Sequence, residues 1–141
     1  MSRLLMLFSH ILTDEQVKDA KETFHIEEIR YLPDDLQVQW SGVDPGLETL
    51  LAYAEPFMKW IRQSAEAGDF VLVQGDFGLT VLMVDFCLRN GLTAIYATTE
   101  RKAVSRKMED GTIQTSRIFS HCRFRKYQKY QYDGQGSSEN D

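Results

Sequence analysis

Asp-Phe-Val-Leu-Val-Gln-Gly-Asp-Phe-Gly, residues 69–78, is the stretch from which the fold is read. Its first half, Asp69–Gln74, is a short, continuous apolar run, the pattern of a strand buried on both faces. Gly75-Asp76-Phe77-Gly78 then predicts a tight turn. Leu79 to Arg89 reads as a buried helix stopped by Asn90-Gly91, and Leu92–Ala97 is β-rich again. Strand, helix and strand in succession predict a parallel sheet covered by helices on both faces.

Working outward, Arg3–Phe8 is a second continuous apolar strand. Thr13 and Gln16 form a capping-box pattern, so a helix is expected to start near Asp14, with Val17, Ala20 and Phe24 facing inward and His25 at its end. Glu28–Leu32 predicts a short strand closed by Pro33. Asp34–Trp40 forms an irregular or helical turn. Asp44 as cap and Pro45 at the first helical position predict a helix whose apolar face runs from Leu47 through Ile61 to about Ala67, kinked by Pro56 and ended by Gly68. Downstream, Val104–Met108, Glu109-Asp110-Gly111 and Thr112–Phe124 predict a β-hairpin. Residues 1–132 form one domain without internal repeats. Residues 133–141, Asp-Gly-Gln-Gly-Ser-Ser-Glu-Asn-Asp, predict a disordered acidic tail.

With 141 residues, 43% hydrophobic and 26% charged, the chain can bury a core, which excludes a collagenous or disulfide-stapled class. Cys87 and Cys122 lack metal-site spacing and read as reduced thiols of a cytoplasmic protein. The apolar start is too short for a secretory core, and no run reaches membrane-spanning length. The net charge of −5 is uneven. Residues 1–100 carry seven basic and sixteen acidic side chains, whereas 101–132 carry nine and two. Such a chain is a poor coat for long nucleic acid but a reasonable host for one compact polyanion. A solvated basic strand balancing an acidic body gives the same arithmetic.

In an open α/β sheet, ligands sit beyond the carboxyl ends of the strands. Three polar segments are expected there: Ser9–His10, Gln74–Gly78 and Thr98–Lys102. Gly75 and Gly78 allow close backbone approach, and the following helix offers its N-terminus to an anion. Asp76 either caps that helix or accepts from a ribose hydroxyl. A plain strand-to-helix turn explains the same residues. Neither the G-x-G-x-x-G pattern nor a P-loop lysine is present, so neither NAD nor ATP is indicated. Thr98 and Thr99 precede Arg101 and Lys102, hydroxyls to position a phosphate and cations to grip it, unless the segment is merely an exposed loop with Glu100 paired to a neighbour. His10 is a candidate proton carrier or a structural strand-end histidine. His121-Cys-Arg-Phe-Arg-Lys-Tyr127 interleaves basic and aromatic side chains, as an amphipathic strand with Phe124 in the core also would. No nucleophile elbow, metal-ligand helix or carboxylate pair is visible.

The segments Leu-Phe-Ser-His-Ile-Leu-Thr (7–13), Val-Leu-Val-Gln-Gly-Asp-Phe-Gly (71–78), Ile-Tyr-Ala-Thr-Thr-Glu-Arg-Lys (95–102) and Phe-Ser-His-Cys-Arg-Phe-Arg-Lys-Tyr (119–127) together resemble the small CRISPR-associated proteins of the Csx series. Those proteins are similar to the CARF group. The resemblance implies a Rossmann-like domain that binds cyclic oligoadenylate, the second messenger of type III CRISPR defence, as a homodimer. It further implies a ring nuclease that opens the ring, or a non-catalytic sensor or sink. No cofactor and no metal are expected. On this reading Arg101 and Lys102 offset phosphoryl charge, Thr98 and Thr99 position, and His10 beside Ser9 moves the proton. Gly75, Asp76, Phe77 and Gly78 line the ligand, and Gln74 reads an adenine edge. These roles come from the expected position at the sheet rim. A basic hairpin docking an acidic partner protein, or a general mononucleotide-binding enzyme, would use other features.

Overall fold

The computed structural model describes residues 2–130; the acidic tail expected at 133–141 lies outside the described residues. The elements in chain order are β1 (Ser2–Leu7), α1 (Asp14–Phe24), β2 (Ile26–Arg30), α2 (Asp34–Ser41), α3 (Leu51–Ser64), β3 (Phe70–Val73), α4 (Phe77–Arg89), β4 (Thr93–Lys107) and β5 (Ile113–Lys126). They build a mixed α/β fold on one five-stranded sheet ordered β2-β1-β3-β4-β5. The pairs β1–β2, β1–β3 and β3–β4 are parallel, and β5 joins β4 antiparallel.

The two central strands are apolar throughout because both faces are covered. Leu4, Leu5, Met6 and Leu7 are all 0% exposed. Leu4 and Met6 pack with Leu12, Ala20, Ile26, Leu72, Ile95 and Phe124 beneath α1. Leu5 and Leu7 join Val71, Val73 and Ala94 under Trp40 of α2, Ala54 and Phe57 of α3, and Leu79 and Met83 of α4. Each such side chain contributes about 1.5–3 kcal/mol by leaving water. The sheet is thus sandwiched, α1 on one face and α2–α4 on the other.

Local signals explain most boundaries. The Thr13–Gln16 capping box opens α1 with both reciprocal bonds in place, and His25 ends it in the left-handed conformation at φ 58°. Asp76 caps α4 by accepting from Leu79 N at 3.0 Å. Gly91, at φ +73°, provides the exit that follows Asn90.

Three expectations are corrected. The second strand is Ile26–Arg30 rather than Glu28–Leu32, and Asp34–Ser41 is a complete eight-residue helix. The helix expected from Asp44 begins at Leu51 and ends at Ser64. Asp44 instead closes a local turn: its carboxylate accepts from Gly46 N at 2.8 Å and its carbonyl from Leu47 N at 3.2 Å. Thirdly, Thr98–Lys102 is no loop. It lies inside β4, which runs unbroken for 15 residues, so the two strands expected at Leu92–Ala97 and Val104–Met108 are one. With β5 it forms the expected hairpin, here an arm that continues well past the sheet. Among the described residues no helix is long and apolar enough to cross a membrane.

Candidate functional site

The strand order reverses between β1 and β3: the chain passes from β1 outward to β2 on one side, and from β3 outward to β4 and β5 on the other. Loops leaving parallel strands at such a reversal diverge and open a crevice beyond their carboxyl ends. Ser9–His10 follows β1, Gln74–Asp76 follows β3, and Thr98 continues β4 at the same level, since Leu72 pairs with Ile95. Three of the expected segments therefore do emerge along one rim.

The side chains there divide into those engaged by the fold and those facing solvent. Gln74 is engaged: its Oε1 accepts from Ala97 N at 2.7 Å and its carbonyl from Trp40 Nε1 at 2.9 Å. Gly75 is required by the same indole, because a Cβ built there would lie 2.7 Å from Trp40 Nε1. Asp76 is the α4 cap, and Phe77 and Gly78 form that helix's first turn rather than a free loop. Thr98 Oγ1 donates to Arg123 O at 2.8 Å and accepts from Arg123 N at 3.2 Å. Ser9 is exposed and its hydroxyl meets that of Ser41 at 3.1 Å. His10 is exposed and stands edge-on to Phe8, with ring centroids 5.2 Å apart. Phe77 is 93% exposed, an aromatic face presented to water at the N-terminus of α4.

Arg101 and Lys102 stand apart from this floor. Three and four residues beyond Thr98, they are carried about 10–13 Å up the arm. Neighbours in a strand point to opposite faces, so the two cations cannot grip one phosphate together, contrary to the expectation of a cationic loop. Arg101 lies over the Phe119 ring, 5.1 Å from its centroid, and Lys102 sits 3.9 Å from Glu100 on the other face. Thr99 pairs with His121 in the register.

A site that sequence reasoning undervalued lies at the arm's base. The pairing shifts between Thr98 and Thr99, leaving Cys122 as an extra residue in β5. The bulge turns His121 toward α1, where its Nε2 lies 2.7 Å from Asp19 Oδ2. The His121 side chain is 4% exposed, and Nδ1 is buried without a partner. Burial raises the Asp19 pKa, but hydrogen bonds from Thr23 and His121 and the charges of His121 and Arg123 outweigh it, and the net shift is downward. The two residues are 102 apart in sequence, and no local motif announces the pair. Among the described residues no group of three or more His, Cys, Asp or Glu gathers as a metal would require.

Fold and rim together define an α/β chain with a candidate ligand crevice at the reversal of a mainly parallel sheet. The chain belongs to the Uncharacterized protein MJ1673 family, whose profile matches residues 2–125. It is 43% identical over 130 residues to the Uncharacterized protein MJ1673 of Methanocaldococcus jannaschii, covering 92% of this chain and 100% of that protein. No solved structure matches it.

Proposed function

We propose that this protein is a Rossmann-like, CARF-like domain of CRISPR defence that binds a cyclic oligoadenylate, cyclic tetra-adenylate above the other rings, and opens it. The observation that carries the reading is the convergence of the β1, β3 and β4 ends at the strand-order reversal, with a cation-bearing arm rising beside them. The crevice offers what a compact ring of phosphates and adenines needs. Phe77 supplies a face for base stacking. The first N–H groups of α4 have no partner within the helix and suit a phosphate. Arg101 and Lys102 add positive charge on the flanking wall.

The proposed step is an internal transesterification. A ribose 2′-oxygen attacks the adjacent phosphorus in line, its proton passes to a base, and the 5′-oxygen leaves and takes up a proton. The product is a linear oligoadenylate with a 2′,3′-cyclic phosphate and a 5′-hydroxyl. His10, exposed beside Ser9 at the end of β1, is the group for the proton transfer. Arg101 offsets charge on the pentacoordinate phosphorus. Ser9, Thr98 and Thr99 hold the ring's edge.

A second reading, a non-catalytic sink, is favoured by the engagement of Gln74 and Thr98 in fold-internal hydrogen bonds. One assay separates the two. The pure protein is incubated with cyclic tri-, tetra- and hexa-adenylate in EDTA and the products are resolved. Linear species from one ring size support ring opening. Intact rings that co-elute with the protein support the sink. Rings neither cut nor retained remove both readings.

A further inference from the structure

We propose that the β4–β5 arm is a clasp for a second copy of this chain: each copy lays its arm on the acidic body of the other, and the two arms exchange about a two-fold axis.

The arm has no packing partner of its own. Between Thr99 and Phe119 every residue except Met108 is exposed. Its strands run 15 and 14 residues, about three times the usual strand length. A two-stranded ribbon wet on both faces is marginal in water and carries open edges. It also exposes apolar side chains that its own chain never covers: Val104 at 42%, Ile113 at 70%, Ile118 at 47% and Phe119 at 66%.

Charge identifies the occupant. Residues 99–130 carry nine basic and three acidic side chains; residues 2–98 carry seven and fifteen. Arg106 and Lys107 lie eight and nine residues past Thr98, about 26–30 Å beyond the rim. Exposed charges are screened over about 8 Å at physiological salt. The distal cations are therefore out of range of their own body, and a body of the complementary sign exists on every other copy. Two arms laid against each other would set like charges together. Reciprocal docking closes at two chains, because each copy gives one arm and receives one. A polynucleotide would also suit a basic ribbon, but the acidic body beside it repels a long phosphate backbone.

The proposal concerns the chain without nucleotide, so its test is independent of ring opening. Sedimentation velocity on the full-length protein at micromolar concentration, with no nucleotide, is expected to give twice the chain mass of 16.3 kDa. The triple variant Arg106→Glu, Lys107→Glu, Arg117→Glu is expected to weaken dimerisation at least tenfold. Its unfolding midpoint, extrapolated to the monomer, should stay put because these side chains touch no core. A second variant, Ile113→Asp with Phe119→Asp, should also dissociate the pair, and 1 M salt should weaken the wild-type dimer. A wild-type monomer at 100 µM overturns the proposal, as does a dimer that survives both variants. A monomer that instead binds a single-stranded RNA through Arg106, Lys107 and Arg117 overturns it in favour of a nucleic-acid ribbon.

Discussion

Asp19 of α1 and His121 of β5 meet at 2.7 Å, and this contact ties the base of the arm to the helical layer. Phe124, 4.8 Å from the imidazole between ring centroids, seals the contact from the sheet side. If Nε2 carries the proton, the carboxylate accepts it and Nδ1 is left as a bare acceptor, the less costly of the two orphans.

Replacing Asp19 by Asn is expected to cost about 1 kcal/mol at pH 7, the size of one net hydrogen bond at a partly wet site. The carboxyl's folded pKa lies below its ordinary value. Its stabilisation is therefore complete above the ordinary carboxylate range and lost as pH falls through the folded pKa. Urea unfolding of wild type and Asp19→Asn between pH 2 and pH 7 checks this. The two should differ most at neutral pH and converge in acid; a constant gap would dissociate the effect from ionisation.

Gly75→Ala should destabilise by about 1–3 kcal/mol, the usual cost of overpacking. The new methyl would lie 2.7 Å from Trp40 Nε1 and 2.9 Å from Cε2, and Trp40 is 1% exposed. The indole must shift, loosening its bond to the Gln74 carbonyl. Trp40 fluorescence and the thermal midpoint report the two consequences together. An unchanged midpoint would mean that α2 yields without resistance.

The two thiols should react in sequence. Cys122 is exposed, whereas Cys87 is buried and its burial pushes the thiol pKa up to about 12. An aromatic disulfide reagent at pH 8 should titrate one thiol per native chain and two in denaturant. Fast release of two equivalents from the native chain would show that α4 opens readily.

For the proposed ring opening, Arg101→Ala should slow cleavage more than it weakens binding, because its charge matters most at the pentacoordinate phosphorus. Single-turnover cleavage and equilibrium binding of cyclic tetra-adenylate distinguish these effects. His10→Ala should give slower turnover with a flatter pH profile. Wild-type turnover in the first variant removes Arg101 from the chemistry, and an unchanged profile in the second leaves His10 a structural residue.

The sequence made the buried strands and the capped helices legible because their signals are local. The Thr13–Gln16 box and the runs at Arg3–Phe8 and Asp69–Gln74 need no tertiary knowledge to be read. Asp44-Pro45 misled because an Asx turn uses the same residue types as a helix cap. Thr98–Lys102 misled for a different reason: a ribbon with water on both faces has no apolar stripe, so its strand carries no alternation. The candidate rim was legible as far as chain order allows. Gln74 and Gly75 were assigned to a ligand because nothing near them in sequence reveals Trp40, 34 residues upstream of Gln74, as the group they serve.

The extra residue in β5 has a practical corollary. Cys122 is the exposed thiol of the described chain and marks the place where the ribbon departs from the sheet. A spin label or fluorophore coupled there would act as a built-in protractor. In a two-fold assembly a single inter-label distance would report how far the ribbons splay, and ligand-driven opening or closing could be followed without engineering any new attachment point.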